Sequence, residues 1–283
     1  MSRPEELAPP EIWYGDDEAQ KYTGNTRVQK IQAEMTDRAL ELLQLPPGES
    51  AFILDIGCGS GLSGELLDED GHVWVGVDIA PSMLEVALER EVNGDLFLQD
   101  IGQGFGFRPG TFDGAISISV LQWLLNADSS SHSPPQRLTR FFTTLHSALK
   151  NPSRAVFQFY PSSDDQVQLI TSCAQKAGFG GGLVVDYPNS KKARKMYLCL
   201  MVGQQEIPKG LEEEHEASAH DKREEIKMER RRRREKISKK KQSNKNLTGK
   251  EWILKKKELY RTRGKEGVPR DSKYTARKRR VQF

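Results

Sequence analysis

Apolar and polar positions follow two different periods along this chain. Between Asp17 and Leu45, Val28, Ile31, Met35, Ala39, Leu42 and Leu43 recur at three- and four-residue steps, as on one face of a helix. Gly24 predicts a break into two helices, and the Pro- and Glu-rich residues 1–12 read as loose. Pro46-Pro47-Gly48 ends the helical pattern. Beyond it, short apolar runs alternate with helical stretches. Runs at 51–55, 73–77, 95–101, 112–119, 154–160, 183–186 and 197–202 read as strands. Stretches at 62–70, 80–91, 135–149 and 164–177 read as helices, the last stopped by Gly178. This alternation predicts an α/β fold, a seven-stranded sheet with helices on both faces. The last two runs have no clear helix between them.

The first run carries the chemistry. It ends in Asp55 and passes into Gly57-Cys58-Gly59-Ser60-Gly61, then a helix start. Strand, glycine turn and helix form the opening unit of a nucleotide-binding sheet, where glycine lets a ligand approach bare backbone. The pattern is G-x-G-x-G with an acid in front, not the dinucleotide G-x-G-x-x-G. The second run ends at Asp78, near the spacing at which an acid meets a ribose. This set resembles the S-adenosylmethionine site of class I methyltransferases. The resemblance implies a cofactor site built from Asp55, Gly57, Cys58, Gly59, Gly61, Asp78, Ile79 and Ser117. It also implies that Asp100 faces the adenine amine with Ile101 against the ring, although a turn cap is the plain alternative for Asp100. An aromatic from the N-terminal segment covers the cofactor in many such enzymes; Tyr14 and Tyr22 are candidates, with helix packing as their other reading. Asp113 reads as structural. The family's sheet closes with an antiparallel hairpin, which suits the last two runs.

Charge divides the 283-residue chain. Residues 1–203 hold 16 basic against 26 acidic side chains, and residues 204–283 hold 27 against 14. An acidic body with a basic tail points to a polyanionic partner, nucleic acid above all. Arg230–Arg234 and the lysines after it cannot bury a core, so the tail is expected to be mostly disordered. Trp252, Tyr260, Tyr274 and Phe283 interleave rings with the basic residues, which suits RNA. The tail also reads as a bipartite nuclear import signal. Lys191–Lys195 is a second basic cluster, either a clamp on substrate phosphates or a solvated loop. Cys58, Cys173 and Cys199 and five scattered histidines lack metal spacing, so neither a metal nor a disulfide is expected. No signal peptide or membrane-length apolar run stands out, which predicts a soluble intracellular protein with no membrane partner.

The end of the fourth strand, Ser117-Ile118-Ser119-Val120-Leu121-Gln122-Trp123, lacks the Asn/Asp-Pro-Pro-aromatic quartet used on exocyclic amines. It also lacks a cysteine nucleophile for pyrimidine carbons. Four segments together carry a closer resemblance: Leu54–Gly64, Ser117-Ile118-Ser119 with Gln122-Trp123, Ala177-Gly178-Phe179 with Gly182–Asp186, and Lys273-Tyr274-Thr275 with Arg277-Lys278-Arg279. They resemble the eukaryotic 18S ribosomal RNA guanine-N7 methyltransferases, from about Pro10 to the terminus, with 204–246 matching poorly.

That resemblance implies methylation of one guanosine N7 in 18S rRNA within the pre-40S particle, and a role in small-subunit assembly and export. It implies a heterodimer with a small zinc-binding activator that extends the sheet beside the third strand, covering Asp95, Leu96, Phe97 and Leu98. It implies residence in nucleus, nucleolus and cytoplasm. Guanine N7 carries a lone pair and no proton, so no general base is needed. Trp123, Tyr160 and Tyr22 are candidates for shaping the guanine pocket, with core packing as the alternative. Three regions follow: a helical extension over 1–50 covering the cofactor site, a cofactor-binding core over 51–203, and a charged RNA- or ribosome-binding extension over 204–283. A ribosome-assembly scaffold is the competing function.

Overall fold

The computed structural model describes residues 3–46, 48–127, 132–190, 194–203, 248–262 and 270–271. Two compact units divide the chain, 1–220 and 221–283. In the first, the N-terminal segment holds α1 (Pro10–Trp13), α2 (Asp16–Gly24) and α3 (Thr26–Leu43). Asn25 separates the last two and caps α3 by accepting from the Arg27 and Val28 N–H groups. The expected looseness of residues 1–12 is corrected: Pro4–Glu6 forms a 3-10 turn and Pro10 opens α1, each with proline in its first turn.

The sheet contains β1 (Phe52–Ile56), β2 (Val73–Asp78), β3 (Asp95–Leu98), β4 (Phe112–Ile118), β5 (Leu149–Phe159), β6 (Gly180–Asp186) and β7 (Lys195–Val202). Between them run α4 (Leu62–Asp70), α5 (Pro81–Glu89), α6 (Pro134–Ala148) and α7 (Asp164–Lys176). The strand order is β3-β2-β1-β4-β5-β7-β6, with β7 antiparallel to both neighbours and the remaining pairs parallel. This is the expected architecture. The order reverses between β1 and β4, and such a reversal opens a crevice at the carboxyl ends of the strands.

Period-2 alternation sends β1 side chains to opposite faces. Leu54 and Ile56 join the core beneath α6 and α7, with Phe141, Phe142 and Phe157. Ile53 joins the core beneath α3, with Met35, Leu42, Trp74 and Ile116. Because α3 shares this core, residues 1–50 do not form a separate body. Trp74 is 2 % exposed and donates Nε1–H to Asp68 Oδ1 at 3.0 Å. A Cβ at Gly64 or Gly94 would overlap its ring, so both glycines are seats for this side chain.

Two strands begin earlier than expected. β6 includes Gly180–Gly182 because Gly181, at φ 112°, lets the backbone of β7 approach; a Cβ there would overlap the Cys199 carbonyl. β5 starts at Leu149, which pairs with Phe112 across a register shift. β3 stops at Leu98, before Asp100.

In the second unit, α8 (Gly249–Thr262) is an ordered element within the tail expected to be mostly disordered. Thr248 and Glu251 form a reciprocal capping box: Glu251 Oε2 accepts from the Thr248 N–H and hydroxyl, and the Glu251 N–H reaches back to Thr248 Oγ1. Arg261 and Lys257 pair with Asp271 at 3.0 and 3.3 Å. The arginine run and most of the expected RNA-binding arm, with Lys191, Lys192 and Ala193 of the first basic cluster, lie outside the described residues.

Candidate cofactor and substrate site

A cavity of about 160 Å³ opens at the carboxyl ends of β1, β2 and β4. Its floor is the glycine turn. Gly57, Gly59 and Gly61 all take positive φ, at 71°, 53° and 79°. A Cβ on Gly57 would overlap Val120, and one on Gly59 would sit 2.8 Å from Met83 Cε. Four of the turn's N–H groups are already used: Gly57 and Cys58 donate to Val77 O, Gly59 to Asp78 and Gly61 to Cys58 O. The turn therefore offers room and bare backbone surface rather than a row of unpaired donors.

Asp78 closes this arrangement. Its Oδ2 accepts from the Gly59 N–H and its Oδ1 from the Ala80 N–H, both at 2.8 Å. Each oxygen retains acceptor capacity on a residue that lines the cavity. Asp55 sits below the turn, 1 % exposed, with Oδ2 accepting from Ser63 Oγ at 2.6 Å and Oδ1 without a partner. Burial raises its pKa to about 7, the Ser63 bond opposing and the Asp78 charge reinforcing the shift. Burial likewise raises Asp78. Such perturbed carboxylates mark functional clefts.

Asp100 serves as a turn cap at the cavity wall. It caps the 3-10 turn Ile101–Gln103 through the Gly102 N–H, and it lines the cavity. Arg137 on α6 also grips it, Nη1 on Oδ2 at 3.0 Å and Nη2 on Oδ1 at 2.9 Å. Sequence reasoning missed Arg137. A lone arginine just ahead of the apolar stripe Leu138, Phe141, Phe142 and Leu145 signals a buried cation, but nothing in the sequence names its carboxylate.

The wall facing the turn is aromatic. Tyr14 meets Tyr22 edge-on at 5.7 Å and Trp123 at 5.9 Å between ring centroids. Burial pushes the Tyr14 phenol up to about 12, with Asp78 adding to the effect, and pushes Tyr22 higher. Both stay protonated at physiological pH. Gln32 donates to the Tyr22 oxygen at 2.7 Å.

The expected residues divide cleanly. Gly57, Cys58, Gly59, Asp78, Ile79, Asp100, Ile101, Tyr14, Tyr22 and Trp123 line the cavity. Asp55, Gly61 and Ser117 lie behind its wall. Ser117 gives its hydroxyl to Ile56 O at 2.8 Å, a strand-to-strand tie that leaves no side-chain proton for a ligand. Tyr160 is also absent from the wall: its hydroxyl meets Met35 Sδ at 3.1 Å and Lys195 Nζ at 3.2 Å, with Lys195 over its ring. Ser60, Ser119, Gln99, Met83 and His132 line the cavity without having been singled out. Ser60 Oγ is buried and has no partner.

Comparison with known proteins follows from this geometry. The methyltransferase domain family matches residues 54–157, and the family described as methyltransferase involved in Williams-Beuren syndrome matches residues 200–281. The 18S rRNA (guanine(1575)-N(7))-methyltransferase of Saccharomyces cerevisiae is 56 % identical over 285 residues, covering all of both chains. The 18S rRNA (guanine-N(7))-methyltransferase of Arabidopsis thaliana is 54 % identical over 291 residues, covering 100 % of this chain and 99 % of that one. The chain belongs to the 18S rRNA (guanine-N7)-methyltransferase family.

Within this family membership, the match includes 204–246, the stretch that looked poorly related from sequence alone. Among solved structures, phosphoethanolamine N-methyltransferase 2 of Haemonchus contortus in complex with S-adenosyl-L-methionine superposes with a TM-score of 0.53 at 17 % identity, covering 72 % of this chain and 61 % of that one. That likeness shows a shared S-adenosylmethionine-dependent methyltransferase fold.

Proposed function

We propose that this protein transfers the methyl group of S-adenosylmethionine to N7 of a guanosine in 18S rRNA, within the pre-40S particle. The observation that carries this reading is the full-length match to relatives named for that reaction. The cavity fits the donor: bare glycine backbone, the buried unpartnered Ser60 hydroxyl, and acceptors on Asp78 and Asp100 suit a molecule with ribose hydroxyls and an adenine amine. The bound donor would supply an activated methyl group.

The chain's own residues would position and exclude. Asp78 would accept from ribose hydroxyls while holding the glycine turn. Asp100 and Ile101 would hold the adenine. Tyr14, Tyr22 and Trp123 would shield the reacting centre from water and orient the guanine ring. An unprotonated N7 asks for no base, and the protonated tyrosines and the ion-paired Asp100 offer none. Catalysis then lies in in-line placement.

The partner reading has its own support. Phe97 and Leu98 are 47 % and 61 % exposed on β3, which ends the sheet, and Val73 and Leu88 add exposed apolar surface. A small zinc-binding activator extending the sheet there would cover this edge. The basic tail would engage rRNA and direct the protein to nucleus and nucleolus, with a cytoplasmic share.

The test is to map N7-methylguanosine in 18S rRNA by reductive strand cleavage, in cells with and without this chain. The expected result is loss of one cleavage site; an unchanged pattern removes the assignment. If Asp55→Ala abolishes donor binding yet still supports subunit maturation, the scaffold role is the essential one.

A further inference from the structure

We propose that Arg137 is a positioning residue that makes Asp100 a single-acceptor reader of the adenine amine. The inference rests on the reading that the cavity takes S-adenosylmethionine. A carboxylate offers roughly four acceptor positions. On Asp100, the Gly102 N–H and Arg137 Nη2 both use Oδ1, at 2.9 Å each, and Arg137 Nη1 uses Oδ2 at 3.0 Å. One position remains, on Oδ2 of a residue that lines the cavity.

The fork itself is held. Arg137 is 8 % exposed, and its guanidinium lies against Gly102, where a Cβ would overlap it. His132 flanks the outer nitrogen, its ring nitrogens 3.4 and 3.5 Å from Nη1. Arg137 Nε is buried without a partner, so the whole hold on Asp100 comes from the two terminal nitrogens. A bidentate guanidinium–carboxylate pair fixes the carboxylate plane in a way a point charge does not. An acid fixed this way cannot rotate to suit a different ligand edge. Arg137 itself lines the cavity beside Asp100, and the role proposed for it is exercised through Asp100.

The experiment compares two ligands on the full-length chain by calorimetric titration: S-adenosylhomocysteine, and the same molecule with hydrogen in place of the 6-amino group. The second ligand keeps the purine N1 acceptor and removes only the amine. The expected wild-type preference for the amino ligand is about tenfold or more, the loss of one charge-assisted hydrogen bond. In Arg137→Met, checked for folding by its melting transition, that preference should shrink to within about twofold, with affinity for the deaminated ligand nearly unchanged. Arg137→Lys serves as the second variant and keeps charge without the fork; its preference should also fall.

A purely structural arginine would weaken both ligands in parallel, and that result overturns the inference. So does a full preference retained in either variant, or a wild type that does not distinguish the ligands. A wild type that binds neither ligand removes the cofactor reading, and this inference with it.

Discussion

Asp55 shows what burial does to a single carboxyl. It lies under the glycine turn with a folded pKa of about 7, against about 3.9 in an unfolded chain. Between those values the folded protein holds more protons than the unfolded chain, so stability falls as pH rises through that window and levels off above it. Asp78, raised by burial too, acts with the same sign. The melting temperature of the ligand-free chain should therefore drop from pH 5 to pH 7.5. Asp55→Asn keeps an acceptor for Ser63 and should flatten that drop; an unaltered slope would acquit Asp55 as its source. Gly57 is the second telling residue. At φ 71°, with Val120 against its missing Cβ, Gly57→Ala must strain the turn, a cost of about 1–3 kcal/mol. Donor binding measured by calorimetry should weaken by at least about tenfold, since the strain falls on the cavity floor.

Elements reveal where packing chose and where it left surface open. Trp74 fixes α4 against β2 through Gly64, so Gly64→Ala should lower stability by about 1–3 kcal/mol, readable by denaturant unfolding. On β3 the situation is reversed. Phe97 and Leu98 are about half exposed or more, so Leu98→Asp should leave the chain's own melting nearly unmoved. If β3 is the docking edge, the same substitution abolishes co-purification of the zinc-binding partner. Undiminished co-purification would send the partner elsewhere. Helix α8 was hidden in a charged tail, although Thr248-Gly249-Lys250-Glu251 spells its capping box.

At the scale of the whole molecule, the proposed function gives the acidic body the chemistry and the basic extension the attachment. Removing residues 230–283 should spare donor binding and weaken rRNA binding, with a shallower dependence of affinity on salt because fewer phosphates are neutralised. Fluorescence anisotropy across a salt series measures both. An rRNA affinity unchanged by the deletion would favour a small-molecule or protein substrate instead.

Local chemistry made much of this protein readable in advance. Helix and strand periods are written in side-chain spacing, so the alternating elements, the glycine turn and the two acids at the ends of β1 and β2 could be seen without coordinates. Most of the residues singled out in advance reached the cavity wall, because residues at strand ends in such a sheet converge on one crevice. Tertiary structure alone decided which groups meet across long separations. It joined Arg137 to Asp100, turned Ser117 inward to Ile56, drew Tyr160 toward Met35 and Lys195, and brought α3 into the core beneath the sheet. The reason is that a sequence specifies each side chain's capacity to bond or pack, while the partner that satisfies it is set only when the chain closes on itself.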